Sequence, residues 1–133
     1  MSKYVLDTDI CIYWLKGNKN IEKRILETGM ENILINVITQ CELVYGAFKS
    51  SKKERNLKVI RDLLKRVETL HTTEETPYIY GSVKAELGRK GCILDDADLL
   101  IASITLAKDY ILITNNIDHF KRIPNLKIEN WSA

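Results

Sequence analysis

The sequence lacks long apolar segments. No run approaches the roughly 18 uninterrupted apolar residues that a membrane span requires. Asp7 interrupts the N-terminal run before a signal-peptide core could form. The sequence therefore predicts a cytoplasmic protein that does not enter a membrane.

Paired cysteines and histidines are also scarce. The chain has three cysteines at wide spacings, none in a CxxC pair, and two histidines. An odd number of scattered cysteines argues against a disulfide framework, and so few thiols and imidazoles argue against a zinc site. We expect the cysteines to be reduced packing residues.

Linkers, repeats and low-complexity tracts are absent as well. The chain has 133 residues, about the length of one domain, and 45% of them are hydrophobic. A chain of this size and composition can bury a sizeable core and is not of the disordered class. We expect one domain over residues 1–133.

The net charge of +2 is unevenly distributed. Residues 49–66 hold eight basic and two acidic side chains, a local charge of +6, which leaves −4 for the rest of the chain. A basic helical stretch is most often a solvated face. A basic flank on a mildly acidic body can also attract an anionic partner.

Short apolar runs alternate with longer stretches of helical periodicity. Strands are predicted at residues 3–6, 33–35, 67–70 and 111–113, with a weak one at 126–129. Helices are predicted at residues 9–16, 21–28, about 37–49, 53–66, about 73–90 and 97–108. Strands separated by helices predict an α/β fold with a mainly parallel sheet.

Helix-terminal residues support the fifth of these helices. Thr72 and Glu75 have the spacing of a capping box, and Pro77 lies in the same first turn. Gly91 stands just past the predicted end, where a left-handed residue commonly terminates a helix.

Acids and amides gather near the predicted strand ends. Asp7 ends the first strand, Thr114 and Asn116 follow the fourth, and Glu42 and Asp98 lie on helices. In open parallel sheets, sites form outside the carboxyl ends of the strands. We expect these side chains to converge on one edge of the sheet.

Each of these acids has a simpler structural interpretation. Asp9 is more readily an N-cap of the helix that follows, Glu42 could be solvated, and Asn116 could only shape a turn. Asp7 is harder to explain in this way, because it ends a central apolar strand where an unpaired carboxylate is costly to bury. Asp98 opens a helix that is apolar nearly all round, as buried helices are.

Converging carboxylates without histidine or thiolate partners suit Mg²⁺ or Mn²⁺, which prefer oxygen ligands. Neighbouring acids repel one another while no metal is bound, and they become a metal site once a divalent cation binds between them. A metal held in this way can activate water and stabilise charge on a phosphate under attack. The residues therefore indicate phosphodiester hydrolysis.

Four segments of the chain carry a family resemblance. They are residues 4–10 (YVLDTDI), 39–47 (TQCELVYGA), 98–103 (DLLIAS) and 114–116 (TNN), with FKRI at 120–123 and Trp131 beyond them. In this order they resemble PIN-domain ribonucleases, and more closely the VapC toxins of type II toxin–antitoxin pairs. The resemblance covers the whole chain and implies a PIN-like fold.

The resemblance also implies roles for individual residues. Asp7, Glu42 and Asp98 match the family's three core acids and would hold Mg²⁺ or Mn²⁺, directly or through water. The family often has a fourth acid where this chain has Asn116. That departure removes a charge, although Asn116 could still hold a water or the substrate.

Two hydroxyls and one histidine complete the expected site. Thr8 and Thr114 stand at strand ends and are expected to support the acids or contact phosphate. The resemblance implies that water attacks phosphorus and that the products carry a 5′ phosphate. No histidine is positioned by the sequence to act as a base, which argues against a mechanism of the ribonuclease A type, and His119 beside Phe120 is interpreted as a turn residue.

The resemblance implies several partners. They are a cognate VapB-type antitoxin, operator DNA contacted only through that antitoxin, a second copy in a homodimer, and an RNA substrate, with transfer RNA as the leading expectation. Basic candidates for RNA contact are residues 52–66, Lys84, Arg89 and Lys90. The same basic helix, with Tyr45, Phe48 and Leu57, could instead form a groove for the antitoxin.

Two alternatives remain open from the sequence. The first is a haloacid-dehalogenase-like phosphatase, with residues 7–9 (DTD) as its acid pair and Asp95 with Asp96 as a late pair. Cys11 stands where that family has Thr or Val, and the chain is short for that fold. The second is a binding module, such as a receiver domain or an inactive PIN fold, which the missing fourth acid would favour.

Overall fold

Five strands form the central sheet of the computed structural model, which describes residues 2–133. In chain order the strands are β1 (Tyr4–Leu6), β2 (Ile33–Asn36), β3 (Glu68–Leu70), β4 (Ile111–Ile113) and β5 (Lys127–Glu129). Their spatial order is β3-β2-β1-β4-β5, so the first strand lies in the middle. Val5 of β1 is in register with Leu34 of β2 and Leu112 of β4. The predicted parallel α/β fold is confirmed, and all four strand pairings in this sheet are parallel.

Seven α-helices occur in this described range. They are α1 (Thr8–Leu15), α2 (Lys19–Thr28), α3 (Val37–Lys49), α4 (Lys53–Arg66), α5 (Thr76–Arg89), α6 (Asp96–Ala107) and α7 (Ile117–Phe120). The first six confirm the predicted helices, with ends that differ by up to three residues. The 3-10 turn Met30–Asn32 and α7 were not predicted. Each is about one turn long, which is too short to show helical periodicity.

Alternate residues of the buried strands face opposite cores, as the two-residue period of a strand requires. Leu6 and Ile113 pack with side chains of α1 to α4 and with Trp131 on one face of the sheet. Val5 and Leu112 pack with side chains of α5, α6 and α7 on the other face. The helices thus bury both faces and leave the strand ends to carry polar residues.

The predicted capping box at the start of α5 is wrong. The helix begins at Thr76, later than the sequence suggested, and the side chain of Glu75 makes no capping hydrogen bond. Instead Oγ1 of Thr76 accepts a hydrogen bond from the backbone N–H of Thr73 at 2.9 Å. The other end of the helix is as predicted, because Gly91 follows it with φ of +71°.

The three cysteines are free. Cys11 and Cys92 pack in or against the core as predicted, but Cys41 is exposed on α3, so the prediction of a packing residue is wrong there. None of the helices in residues 2–133 combines the length and the apolar character that crossing a bilayer requires.

Candidate active site

Asp7 lies at the carboxyl end of the central strand β1 and is only 6% exposed. It is also the N-cap of α1, and its Oδ1 accepts a hydrogen bond from the backbone N–H of Thr8 at 2.8 Å. Its Oδ2 accepts one from Oγ1 of Thr114, also at 2.8 Å. Two donors from two strand ends therefore fix both oxygens of this carboxylate.

The charge of Asp7 is poorly compensated despite these bonds. The pKa of Asp7 is raised from 3.8 to about 7, chiefly by burial and then by the nearby carboxylate of Asp9, while hydrogen bonds from Thr114 and Thr8 oppose the rise. The charge of Asp98 also raises the pKa of Asp7. A site that disfavours an isolated negative charge in this way favours a cation beside it.

Asp9 belongs to the same cluster, which the sequence interpretation did not predict. The N-cap of α1 is Asp7, not Asp9, which lies inside the first turn. One oxygen of Asp9 accepts a hydrogen bond from the backbone N–H of Asn115 at 3.2 Å. The other, Oδ1, is buried and has no hydrogen-bond partner among the described residues. Burial raises the pKa of Asp9 as well.

Asp98 lies in the first turn of α6, and its side chain is 20% exposed. Burial raises the pKa of Asp98, whereas the contact with His119 lowers it. Oδ2 of Asp98 is 3.3 Å from Nδ1 of His119, which lies in α7 rather than in the predicted turn. The interpretation of His119 as a turn residue is therefore wrong. The residues on either side of His119, Asp118 and Phe120, gave no sign of this contact, because the contact depends on how α6 and α7 pack.

Glu42 reaches the site from α3 and is linked to it through a hydroxyl. Oγ1 of Thr8 donates a short hydrogen bond to Oε1 of Glu42, and it lies 3.3 Å from Oγ1 of Thr39. Since Thr8 directly follows Asp7, one residue of α1 ties Glu42 to the buried cluster. Glu42 itself is half-buried.

Asn116 is exposed at the rim of the cluster. Its backbone N–H donates to Oγ1 of Thr114 at 2.9 Å, and its Nδ2 is 2.9 Å from Nδ1 of His119. The hydroxyl of Thr114 therefore connects Asn116 with Asp7.

Two other acids stay outside this group. Asp95 is exposed at the N-cap of α6 and makes no capping bond with its side chain. Asp96 is exposed and lies 2.8 Å from Nζ of Lys84. These positions give no support to a phosphatase in which both residues would serve as late catalytic acids.

A groove with a volume of about 460 Å³ lies beside Glu42, between α1, α3 and α4. Its walls are mainly apolar and include Ile12, Leu43 and Val59, with Arg55 at the α4 side. Most of the basic side chains of α4 are exposed on the outer face of the helix.

Comparison with known proteins identifies the family. The PIN domain profile matches residues 4–126. The chain belongs to the PIN domain family. It is 42% identical to Ribonuclease VapC2 of Rickettsia felis, over 96% of this chain and 97% of that protein. It is 35% identical to the tRNA(fMet)-specific endonuclease VapC of Salmonella typhimurium, over 98% of this chain and 99% of that protein.

Solved structures agree with this assignment. The crystal structure of VapBC2 from Rickettsia felis bound to a promoter DNA fragment matches with a TM-score of 0.89 at 42% identity, over 96% of this chain and 98% of that chain. The crystal structure of DNA-bound VapBC from Salmonella typhimurium matches with a TM-score of 0.92 at 36% identity, over 98% of this chain and 99% of that chain. The chain is thus a PIN-domain protein of the VapC type, and its activity class is that of a nuclease, a hydrolase.

Proposed function

We propose that this chain is the toxin of a type II toxin–antitoxin pair and cleaves RNA by hydrolysis with the help of Mg²⁺ or Mn²⁺. The observation that carries the proposal is the cluster of Asp7, Asp9 and Asp98 at the carboxyl edge of the sheet. Burial, and after it repulsion from the neighbouring acids, raises the pKa of Asp7 to about 7, and this electrostatic penalty is relieved when a cation is bound.

The residues present fit a hard divalent cation. The buried Oδ1 of Asp9 has no partner among the described residues, so it has a lone pair to offer. The surrounding groups are the carboxylates of Asp7, Asp9 and Asp98, and carboxylate oxygens are ligands that Mg²⁺ and Mn²⁺ prefer. No three acidic, histidine or cysteine side chains in residues 2–133 are arranged to hold one ion together. This agrees with Mg²⁺, which is commonly bound through one or two carboxylates and keeps several waters.

We assign the holding of the ion to Asp7 and Asp98, with Glu42 acting through water and Asp9 as an added acid. When bound, a divalent cation would activate water and neutralise charge on the scissile phosphate. The chain's own groups prepare this site: the Thr8 N–H and the Thr114 hydroxyl hold Asp7, and the Thr8 hydroxyl holds Glu42. Asn116 offers an exposed amide to the substrate in place of a fourth acid.

Hydrolysis at such a site breaks the bond between phosphorus and the 3′ oxygen. The product fragments then carry a 5′ phosphate and a 3′ hydroxyl. The attacking atom comes from water, so no 2′,3′-cyclic phosphate is expected.

Transfer RNA is the proposed substrate, since the Salmonella relative is named a tRNA(fMet)-specific endonuclease. The exposed basic face of α4 supplies the charge that phosphate contacts require. This substrate places the activity in the cytoplasm.

A VapB-type antitoxin is the proposed inhibitor, because the related solved structures are VapBC complexes, two of them bound to DNA. We infer that operator DNA is contacted through the antitoxin, and that the toxin forms a homodimer. The apolar groove beside Glu42 suits an amphipathic antitoxin segment, whose entry there would close access to the acids.

Total RNA incubated with the antitoxin-free protein tests this function. The experiment compares Mg²⁺, Mn²⁺ and EDTA, and it maps new 5′ ends. The double variant Asp7→Asn, Asp98→Asn should lose cleavage. The control Asp109→Asn, which removes an exposed acid just after α6 at the opposite edge of the sheet, should retain it.

Discrete fragments that need the metal and disappear in the double variant would support the nuclease and identify its RNA. A stable RNA complex that never yields fragments in Mg²⁺ or Mn²⁺ would instead favour the inactive binding module.

A further inference from the structure

His119 contacts two polar residues of the candidate site. Its Nδ1 lies 3.3 Å from Oδ2 of Asp98 and 2.9 Å from Nδ2 of Asn116. Asp98 belongs to α6, whereas His119 and Asn116 belong to the segment that follows β4. The imidazole therefore joins the helix that carries one acid to the loop at the end of a neighbouring strand.

The contact with Asp98 determines which ring nitrogen carries hydrogen. An ionised carboxylate only accepts hydrogen bonds, so Nδ1 of His119 must be the donor. That N–H leaves no lone pair for an amide N–H of Asn116. The oxygen and nitrogen of a side-chain amide are nearly the same in shape, so the amide of Asn116 can be turned by 180°. Its oxygen then faces the ring and accepts a hydrogen bond from Nδ1–H.

Asp98 depends on this donor more than Asp7 depends on any single one. Asp7 has a donor on each oxygen, the Thr8 N–H and the Thr114 hydroxyl. Among the described residues, His119 is the one hydrogen-bond partner of the Asp98 carboxylate. The helix backbone is fixed by the buried neighbour Leu99, but the carboxylate can still rotate about its side-chain bonds.

We propose that His119 is a positioning residue for the divalent cation: its Nδ1–H holds Oδ2 of Asp98 and keeps that carboxylate in one orientation. The inference rests on the proposed function, since it presupposes a cation at this site. Partners that orient metal ligands in this way typically account for about 10- to 100-fold in metal affinity.

Three substitutions isolate the Nδ1 donor. His119→Phe keeps a ring and removes both nitrogens. His119→Asn returns an amide nitrogen near the position of Nδ1, whereas His119→Gln extends it toward the position of Nε2. His71→Phe makes the same replacement at the other histidine, which is exposed.

The affinity of each full-length protein for Mn²⁺ alone is measured by electron paramagnetic resonance of the unbound ion. We expect His119→Phe and His119→Gln to bind Mn²⁺ about 10-fold more weakly, and His119→Asn to stay within about threefold of the unsubstituted chain. His71→Phe should not change the affinity. Circular dichroism and thermal unfolding of each variant establish that it is folded.

Equal Mn²⁺ affinity in folded His119→Phe and the unsubstituted chain would overturn the proposal. So would an equal loss in His119→Asn and His119→Phe, because the restored donor would then have no effect. If the unsubstituted chain itself binds no Mn²⁺, the metal-dependent function fails first and the role of His119 fails with it. Failure of the proposed function is thereby distinguished from failure of this inference alone.

Discussion

The two edges of the sheet differ in how their charged side chains are paired. At the amino edge, Lys3 lies 4.0 Å from Glu68 and Lys127 lies 3.3 Å from Asp109, and all four side chains are substantially exposed. At the carboxyl edge, the buried or half-buried carboxylates of Asp7, Asp9 and Asp98 lie together, and among the described residues His119 is the one basic side chain within 4.0 Å of these three acids.

The difference has a physical meaning. Exposed ion pairs neutralise charge at little cost and contribute roughly 0 to 1 kcal/mol each. Buried like charges destabilise the fold, and they persist where function requires them. The chain neutralises its own charge at the amino edge, and at the carboxyl edge it leaves negative charge for a cation from outside.

The largest expected effect is on cleavage. Asp98→Asn should lower the rate of RNA cleavage by at least about 100-fold, because it removes a proposed metal ligand. The matched substitution Asp109→Asn at the amino edge should leave the rate unchanged. The measurement is the single-turnover rate on the RNA fragment identified by 5′-end mapping. Equal rates for the two variants would contradict the claim that cleavage requires an acid at the carboxyl edge and not one at the amino edge.

The next effect is on the stability of the metal-free protein as pH changes. The pKa of Asp7 is about 7 in the folded chain against 3.8 for an ordinary aspartate. The folded state therefore binds more protons between these values, and its stability falls as pH rises from 4 to 7 and then levels off. The loss is on the order of 3 kcal/mol.

Asp7→Asn should abolish most of that loss. In EDTA the variant should match the unsubstituted chain near pH 4 and be more stable near pH 8, as measured by urea unfolding. Mn²⁺ should stabilise the unsubstituted chain near pH 8 and have little effect on the variant. A stability that stays flat from pH 4 to pH 8 in both proteins would contradict the uncompensated charge of Asp7.

A smaller effect is expected at the hydroxyl that supports the cluster. Thr114→Val keeps the side-chain shape but removes the donor to Asp7 and the acceptor for the Asn116 N–H. We expect a loss of about 1 to 3 kcal/mol in unfolding free energy near pH 8. Thr72→Val, at an exposed position, is the matched control and should change the free energy little.

The smallest effect is expected at the amino edge. Asp109→Asn removes the ion pair with Lys127, and Asn tolerates the positive φ of 55° at this position. The unfolding free energy should change by less than about 1 kcal/mol, and the change should shrink in high salt. A larger loss would mean that the unfolding free energy depends on the polar contacts of the amino edge as strongly as on those of the carboxyl edge.

The fold could be predicted from the sequence because the pattern of each helix or strand extends over several residues. The buried strand Ile111–Ile113 and the nearly all-apolar helix α6 are recognised by composition and period alone. The placement of Asp7 at the end of a central strand followed from the same pattern, and the structure places it there.

The errors fall where a single dihedral angle or a distant contact decides the outcome. Whether Asp7 or Asp9 caps α1 depends on where one residue turns helical, and both are acids. The capping box at Thr72 failed for the same reason, since α5 begins at Thr76. His119 meets Asp98 only through the packing of α7 near α6, and their separation of 21 residues carries no local pattern.

The central position of β1 has a consequence for synthesis. One neighbour of β1 is β2, but the other is β4, which begins only at Ile111. A nascent chain that stops before that strand has half of its central hydrogen-bond ladder unpaired, and it lacks Thr114 to hold Asp7. Parallel pairings between such distant segments form late in folding. We therefore expect a chain that stops before β4 to lack RNA cleavage, because β1 then lacks one of its two neighbours and Asp7 lacks the Thr114 donor.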